Sequence, residues 1–501
     1  MMELDVLLSA AVMWSILLRL LTSLFPYSGM GKPPMYGDFE AQRHWMEVTT
    51  QLPLKEWYVN STRNDLMYWG LDYPPLTAYH SWLCGKISEQ FNLSWTALNS
   101  SRGHESPEHK LFMRWSVLAS DFVVFYPSVL YFGSLYNTKS KMATAIWALL
   151  INPAMILVDH GHFQYNGVCL GLFVLTVALA KRGRYALAAI AFSLSLNFKQ
   201  IALYFAMPVF IHLLKACIVP SLNLSRFLHI AIATLGTFGI VWVPFAWSGG
   251  QQLIEQILYR IFPLQRGLFE DKVANFWYVT SVLVKYKKLF KSERLVQIAF
   301  GATLFFSLPS WIMLWAQGRN SQKKICNFKL ALFNTSMAFF LFSYQVHEKS
   351  ILFPLMALSL ITNEYPEFML YFTGIACFSL APLLAKDGLL LAYGSLLTQT
   401  CLLIHKTHLE GIAERRWNRF YLLRIMMFLS LISACLLHLA ETFISPPAKY
   451  PELFVLLNYA FSFGHFVLFY IYGHVVQWRY TGEASHADYT DNQYKIKMKA
   501  T

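Results

Sequence analysis

About fourteen stretches of this chain are apolar for long enough to cross a lipid bilayer, or nearly so, and that feature constrains the fold more than any other. They fall at about 6–25, 113–135, 142–158, 166–181, 185–198, 201–219, 227–247, 295–316, 329–345, 350–363, 367–384, 388–405, 420–443 and 452–478. A helix rises ~1.5 Å per residue, so ~20 residues cover the hydrocarbon core. Lipid offers backbone groups no partners, so a continuous apolar segment must satisfy them within itself, as a helix. The alternating pattern of a membrane barrel is missing. The chain is therefore expected to be an all-α polytopic membrane protein. Segments shorter than the bilayer need tilt, enclosure by other helices or a break beside an aqueous cavity. Composition agrees, with 56% hydrophobic and only 14% charged residues, against ~25% charged in soluble domains.

A net charge of +13 would suit nucleic acid if it formed one patch, but the basic residues sit in short clusters between apolar segments. Lys139/Lys141, Lys181-Arg182-Gly183-Arg184, Lys215 with Arg226, Arg319/Lys323/Lys324 and Arg415-Arg416/Arg419 occupy alternate connections. The positive-inside tendency assigns these to the cytosol, together with both termini if the number of spans is even. The connections 26–112, 159–165, 197–200, 248–294, 346–349, 385–387 and 444–451 are then lumenal, and no nucleic-acid partner is expected. Lys285, Lys287, Lys288, Lys291 and Arg294 break the alternation and read as part of an interfacial helix. Three N-x-S/T sequons, at Asn60, Asn92 and Asn99, fall in the long first lumenal loop. The tail Lys497-Met498-Lys499-Ala500-Thr501 resembles a dilysine signal for retrieval to the endoplasmic reticulum. The seven cysteines are scattered, without C-x-x-C pairs or metal-ligand spacing, so neither a disulfide framework nor a zinc site is expected. The first segment lacks a basic n-region and a small-residue cleavage site and reads as a retained span.

Unusual polar groups gather on the face so assigned. Asp38, Glu40, Arg43, His44 and Asp72 lie in the first loop; His160, His162 and Gln164 lie between spans three and four. Lys199 lies between spans five and six, Arg266, Glu270, Asp271 and Lys272 in the second large loop, and His347, Glu348 and Lys349 between spans nine and ten. Ionisable groups at membrane depth are expensive and usually functional, so this coincidence points to a lumenal active site. Residues 36–80 are also rich in aromatics, including Trp45, Trp57, Tyr58, Tyr68, Trp69, Tyr73 and Tyr79. Rings stack on sugar faces and carboxylates take hydroxyl protons, while Lys199, Arg266, Lys272, His347 and Lys349 suit a phosphate. A lipid-phosphate sugar fits this layout, with lipid in the bilayer, phosphate at the interface and sugar in the cavity. Its phosphate leaves without a general acid, but the acceptor hydroxyl needs a base, which one of Asp38, Glu40 and Asp72 would supply.

Blander readings stand beside these. The aromatic stretch also fits an interfacial loop, Asp38-Phe39-Glu40 an acidic helix N-terminus, and Leu71-Asp72-Tyr73-Pro74-Pro75 a plain turn. Lys199 and Lys349 could snorkel to head groups, and Asp121 reads as a buried hydrogen-bonding partner. His160 and His162, two residues apart, do not share a helix face, and no metal site is expected. A transporter of polyprenyl-linked sugars is the rival from another class. It should alternate access and tends to carry internal repeats, none of which is evident.

Several segments taken together resemble one family. Tyr36-Gly37-Asp38-Phe39-Glu40-Ala41-Gln42-Arg43-His44-Trp45 and Gly70-Leu71-Asp72-Tyr73-Pro74-Pro75-Leu76-Thr77-Ala78-Tyr79-His80 are similar to the dolichyl-phosphate-glucose-dependent glucosyltransferases of asparagine-linked glycan assembly. So are residues 159–166, Arg266-Gly267-Leu268-Phe269-Glu270-Asp271-Lys272 and Val346-His347-Glu348-Lys349-Ser350. The resemblance implies a GT-C glycosyltransferase fold of about fourteen transmembrane helices, with a lumenal active site under the first large loop. It implies residues 1–290 as the catalytic module and 291–501 as a variable module with a cytosolic tail at 479–501. The implied reaction is inverting transfer of glucose from dolichyl phosphate glucose onto a dolichyl-diphosphate oligosaccharide in the endoplasmic reticulum membrane. The first-glucose enzyme, acting on the nine-mannose oligosaccharide, matches better through 40–45 and 70–80 than the sister adding the second. Asp72 matches the family's general base, and Asp38-Phe39-Glu40 its modified D-x-D, with Glu40 replacing the second Asp. That replacement argues against an obligatory metal, and no other cofactor is expected. Arg43, His44, Trp69, Tyr73, His160, His162, Gln164, Lys199, Arg266, Glu270, Asp271, Lys272, His347, Glu348 and Lys349 are the expected substrate contacts, beside membrane lipids.

Overall fold

The computed structural model describes residues 2–263, 267–269, 272–317, 321–409 and 421–497, and every regular element among them is a helix. Among the described residues, nine helices are long and apolar enough to cross a membrane. Four shorter apolar helices, Ser9–Ser23, Asn166–Lys181, Tyr185–Phe198 and Leu390–Leu403, account for four more of the expected segments. The protein is a multi-pass membrane protein. Segment 350–363 differs: its helix, Leu352–Ser359, has 8 residues and is about 12 Å long, too short to span.

A second difference lies at 248. The helix that should end near there runs on as Leu224–Ile261, interrupted at Gly250 (φ 64°, ψ −158°), a conformation that glycine adopts without a Cβ clash. Beyond the break, Leu253, Ile257 and Ile261 are buried while Gln251, Gln252 and Glu255 are exposed. That period of four marks an amphipathic helix. The expected loop starts only after Ile261 and carries two short helices, Phe276–Thr280 and Tyr286–Leu289, the second bearing Lys287 and Lys288.

Contacts group the chain into two units. The first comprises Met1–Ala202, Ser225–Leu264 and Leu383–Thr400. In it, helices Asp38–Gln51 and Pro75–Ser88 and the 251–261 segment share a core that includes Trp45, Trp57, Tyr58, Leu71, Phe245 and Ile257. Each such side chain contributes ~1.5–3 kcal/mol on burial, enough to hold the first loop as a folded body. Deeper in the same unit, Asp121 Oδ2 accepts from Arg19 Nε at 2.9 Å and lies 2.9 Å from His160 Nε2, so the expected buried partnership of Asp121 is observed. Gly167 is needed beside it, because a Cβ there would sit 1.9 Å from Asp121 Oδ1.

The second unit comprises Leu203–Leu224, Gln265–Pro382 and Cys401–Thr501. Buried amides join its long helices, with Gln477 at their centre. Gln477 Oε1 accepts from Ser310 Oγ (2.8 Å) and Asn334 Nδ2 (2.7 Å), and Gln477 Nε2 donates to Asn327 Oδ1 (2.8 Å). Polar contacts of this kind hold helices together where lipid removes the hydrophobic drive, typically ~0.6–2 kcal/mol each. Lys215 Nζ donates to the carbonyls of Leu314, Trp315 and Gln317, a cation on the negative end of helix Ser292–Ala316.

Candidate active site

Two breaks in helical regularity build the site. Residues Leu157–Phe163 form a π-helix, whose wide turn often marks functional positions. Its last residue, Phe163, takes φ 97°, Gln164 is extended, and a new helix starts at Asn166. Asp159 bridges the break: its carboxylate accepts from Asn166 Nδ2 at 2.7 Å and from Gly167 N at 2.8 Å. The carboxyl group thus satisfies orphan donors at a helix N-terminus. The second break is Lys199, extended after helix Tyr185–Phe198. Its Nζ donates to Gln164 Oε1 (3.1 Å) and Asn166 Oδ1 (2.7 Å) and lies 4.7 Å from the centroid of the Tyr73 ring.

Asp38 opens helix Asp38–Gln51. Phe39 anchors that end, stacked on Tyr27 at 3.8 Å and edge-on to Phe163 at 4.9 Å. The Asp38 carboxylate accepts from Gln164 Nε2 and lies 3.1 Å from His162 Nε2, and it remains 20% exposed. Two residues on, Glu40 points the other way, with its side chain only 4% exposed. Arg43 donates to both its oxygens (2.7 and 2.6 Å), and Tyr68 Oη and Gly103 N donate to Oε1. Arg43 also donates to Glu47 Oε2 at 2.8 Å, which is 3.2 Å from His44 Nδ1, and Asn99 N donates to Glu47 Oε1 at 2.7 Å. Glu40, Arg43, His44 and Glu47 are therefore a buried lattice tying the helix to residues 97–103.

Burial raises the Glu47 carboxyl, yet the hydrogen bond from His44 and the charge of Arg43 outweigh it and hold the pKa at about 2. A depressed folded-state pKa contributes stability above the unfolded value of about 4.5, and that contribution is lost as pH falls towards 2. The melting-temperature gap between wild type and Glu47→Gln in detergent is therefore expected to shrink as pH drops from 4.5 to 2. An unchanged gap would show that the lattice does not hold Glu47 ionised.

Asp72 is held differently. Four successive carbonyls around it are all engaged: Gly70 O by Arg260 Nη2 (2.7 Å), Leu71 O by Arg260 Nε (3.2 Å), Asp72 O by Gln200 Nε2 (3.2 Å), and Tyr73 O by Tyr58 Oη (2.7 Å). Pro74 and Pro75 then start helix Pro75–Ser88. Just before, Trp69 adopts φ 48°, a strained region for a bulky residue and one that clusters at functional sites. Its carbonyl accepts from Trp45 Nε1 at 2.8 Å, and its own Nε1 donates to Met35 O at 2.5 Å. The half-buried side chain of Asp72 is thus presented from an immobilised backbone. Burial raises the Tyr73 phenol well above its usual range, and the charges of Asp72 and Asp38 push it the same way. Tyr73 therefore keeps its proton between two carboxylates and a lysine.

The first unit brings together Asp38, His162, Gln164, Lys199, Tyr73 and Asp72, from connections that the charge pattern assigns to one face. His160 belongs instead with Asp121 and Arg19. His347 and Lys349 flank the start of the short helix Glu348–Ile351 in the second unit, with His347 Nδ1 3.1 Å from Glu348 Oε2. Lys272 pairs with Glu452 in that unit; Arg266, Glu270 and Asp271 lie outside the described residues, as do Met498 to Thr501. Three participants escape a reading of the sequence. Glu47 stands one helical turn after Arg43, a spacing that could have suggested it. Arg260 lies in a stretch expected to be loop. Asp387, whose Oδ2 is 2.5 Å from His162 Nδ1, sits in the 385–387 connection assigned to the same face, and only that assignment hinted at it.

Comparison with known proteins decides the family. The profile of the ALG6, ALG8 glycosyltransferase family matches residues 12–472. The chain belongs to that family. Its membership makes it a glycosyltransferase of GT-C type. Among curated relatives, the Arabidopsis thaliana "probable dolichyl pyrophosphate Man9GlcNAc2 alpha-1,3-glucosyltransferase" is 41% identical, over 95% of this chain and 90% of that protein. The Gallus gallus and Saccharomyces cerevisiae enzymes of the same name, without "probable", are 40% and 42% identical, over 95% and 92% of this chain and 96% and 89% of theirs. For this member of the ALG6, ALG8 family, a carboxylate on a clamped strap beside a lysine and a protonated tyrosine is an arrangement able to take a hydroxyl proton while anchoring an anionic donor.

Proposed function

We propose that this protein transfers the first glucose from dolichyl phosphate glucose to the terminal mannose of the dolichyl-diphosphate-linked nine-mannose oligosaccharide, in an α-1,3 linkage. The observation that carries the mechanism is the clamped strap 70–73, which aims Asp72 from a backbone that cannot yield. Asp72 takes the proton of the mannose 3-hydroxyl as its oxygen attacks the glucose anomeric carbon. The attack comes from the face opposite the phosphate, the carbon–phosphate-oxygen bond breaks, and dolichyl phosphate leaves. The β linkage of the donor becomes an α linkage in the product. Names of relatives that agree on a nine-mannose acceptor support the first-glucose reaction over its sister. The charge pattern of the connections supports a lumenal site and cytosolic termini, and a tail that resembles a dilysine retrieval signal supports residence in the endoplasmic reticulum membrane.

The deciding experiment supplies microsomes containing the protein with dolichyl phosphate glucose and oligosaccharides bearing either no glucose or one. Product from the unglucosylated acceptor alone is expected. Product only from the monoglucosylated one would assign the sister reaction, and donor movement without product would point to transport. Lys349→Ala should raise the apparent donor KM with kcat largely kept, since an ammonium on the phosphate contributes chiefly to binding; an unchanged KM would remove Lys349 from the phosphate site. The reading uses no metal, because the Asp38 carboxylate is engaged by His162 and Gln164 and that of Glu40 by Arg43. Transfer is accordingly expected to survive EDTA, and loss restored by a divalent cation would reverse that assignment.

A further inference from the structure

We infer that Asp387 is a positioning residue for the transfer reaction, acting through His162 on the carboxylate of Asp38. The inference rests on the glucosyl-transfer reading above. His162 stands between two acids, with Nδ1 2.5 Å from Asp387 Oδ2 and Nε2 3.1 Å from Asp38 Oδ2. An ionised carboxylate oxygen only accepts hydrogen bonds. The trio therefore holds one proton more than two carboxylates and a neutral imidazole would. With both ring nitrogens protonated, His162 is a cation shared by the two acids, and Asp38 has a charged neighbour as well as a hydrogen bond.

The fold takes some trouble to deliver Asp387. The residue follows helix Pro366–Lys386 and is only 5% exposed at its side chain, against 20% for Asp38. Gly388 turns the chain immediately after it at φ 71°. Lys32 Nζ, from the first loop, donates to the Lys386 carbonyl at 2.9 Å. Leu389 then packs against Gly161, where a Cβ would meet Leu389 Cδ1 at 2.9 Å. Lys386 and Leu389 thus meet the first loop and the π-helix, and the acid between them is aimed at His162. Asp38 is the open end of the relay and Asp387 the closed one. A group that is partly exposed can meet a substrate hydroxyl; a buried one can only hold its partner in place.

Other charged groups face the relay from every side. Lys199 reaches it through Gln164, and Asp159 lies beyond Asn166. Asp38 shares the surroundings of Tyr73 with Asp72. Arg114 donates to the Gly161 carbonyl at 2.8 Å, and Arg19, Asp121 and His160 sit on the same π-helix or against it. Asp387→Asn keeps every one of these residues in place and removes only the charge that Asp387 itself sets near His162 and Arg114. In that variant the amide can donate to Nδ1 while Nε2–H still donates to Asp38, so the shape of the relay survives and the extra proton is lost. Asp38 then sits beside a neutral ring and holds its own proton more tightly.

The test is the pH profile of kcat/KM, measured on purified full-length protein in lipid nanodiscs, with the donor and nine-mannose acceptor. Asp387→Asn is expected to lower kcat about tenfold and to move the acid limb of the profile upward, with both KM values little changed. Asp387→Glu, which keeps the charge, should restore the position of the limb. In a His162→Asn background, adding Asp387→Asn should cost nothing further, because the connection is already cut. A lower melting temperature with kcat and pH profile unchanged in the folded fraction would make Asp387 merely structural and overturn the inference, as would additive losses in the double variant. Should Asp387→Asn not fold, His162→Gln serves in its place: it removes the same cation, and an unshifted limb there overturns the inference equally. Failure of the wild-type protein to transfer glucose in this assay would strike the parent reading instead.

Discussion

Asp72→Asn is expected to reduce glucosyl transfer by ~10²-fold or more, the scale of a lost general base, while leaving the protein folded and able to retain donor. The amide is nearly the same size and has no second acceptor oxygen for a proton. The strap that carries it is held through backbone carbonyls, from Arg260, Gln200 and Tyr58, so the substitution removes chemistry without removing support. Transfer rate and donor affinity should be measured on the same preparation. Near-normal turnover would sink the assignment, and Asp38, the other partly exposed carboxylate beside Tyr73, would inherit the role.

The largest effect on stability is expected at Arg43, not at any residue facing substrate. Its guanidinium is fully buried and donates to Glu40, Glu47, Ser101 Oγ (2.5 Å) and the Trp95 carbonyl (3.3 Å). Arg43→Ala takes the guanidinium from two buried carboxylates and leaves Glu47 with only His44 beside it, and breaking a buried pair in this way typically costs ~3–5 kcal/mol. Arg43→Lys should recover only part, since an ammonium cannot hold both Glu40 oxygens and Glu47 in one planar fork. Thermal unfolding in detergent should show a clear drop for both variants, deeper for Arg43→Ala. A melting temperature within one or two degrees of wild type for Arg43→Ala would mean that the lattice does not hold the first loop together. Activity alone would mislead here, because a loosened loop lowers transfer without any part in the chemistry.

This contrast explains how the opening motif divides. As sequence, Asp38, Glu40 and Asp72 are three carboxylates in one loop, and nothing in their spacing ranks them. In the structure Asp38 and Glu40 leave the same helix turn in opposite directions. One reaches His162 and Gln164, the other is closed in by Arg43, Tyr68 and Gly103. The same separation occurs in residues 159–166: His162 joins Asp38, whereas His160 turns to Asp121 and Arg19. A regular α-helix would set residues two apart about 200° from each other, and the π-helix shifts that spacing. Side-chain direction at such a break follows from backbone geometry that residue type alone does not specify.

The sequence by itself determined the membrane class and most of the helices, because apolar length and the need to satisfy backbone groups in lipid are local properties. It also pointed to the polar connections whose residues meet, since clusters of Lys and Arg report sidedness one connection at a time. The family could be read from contiguous motifs for a similar reason. Only the tertiary structure decided that Gly250 breaks a helix that continues to Ile261, that Arg260 on that continuation clamps the strap bearing Asp72, and that Asp387 stands behind His162. Arg260 is nearly two hundred positions from Gly70, and Asp387 more than two hundred from His162. Pairings at that range depend on how the whole chain packs, and no local pattern of charge or hydropathy encodes them.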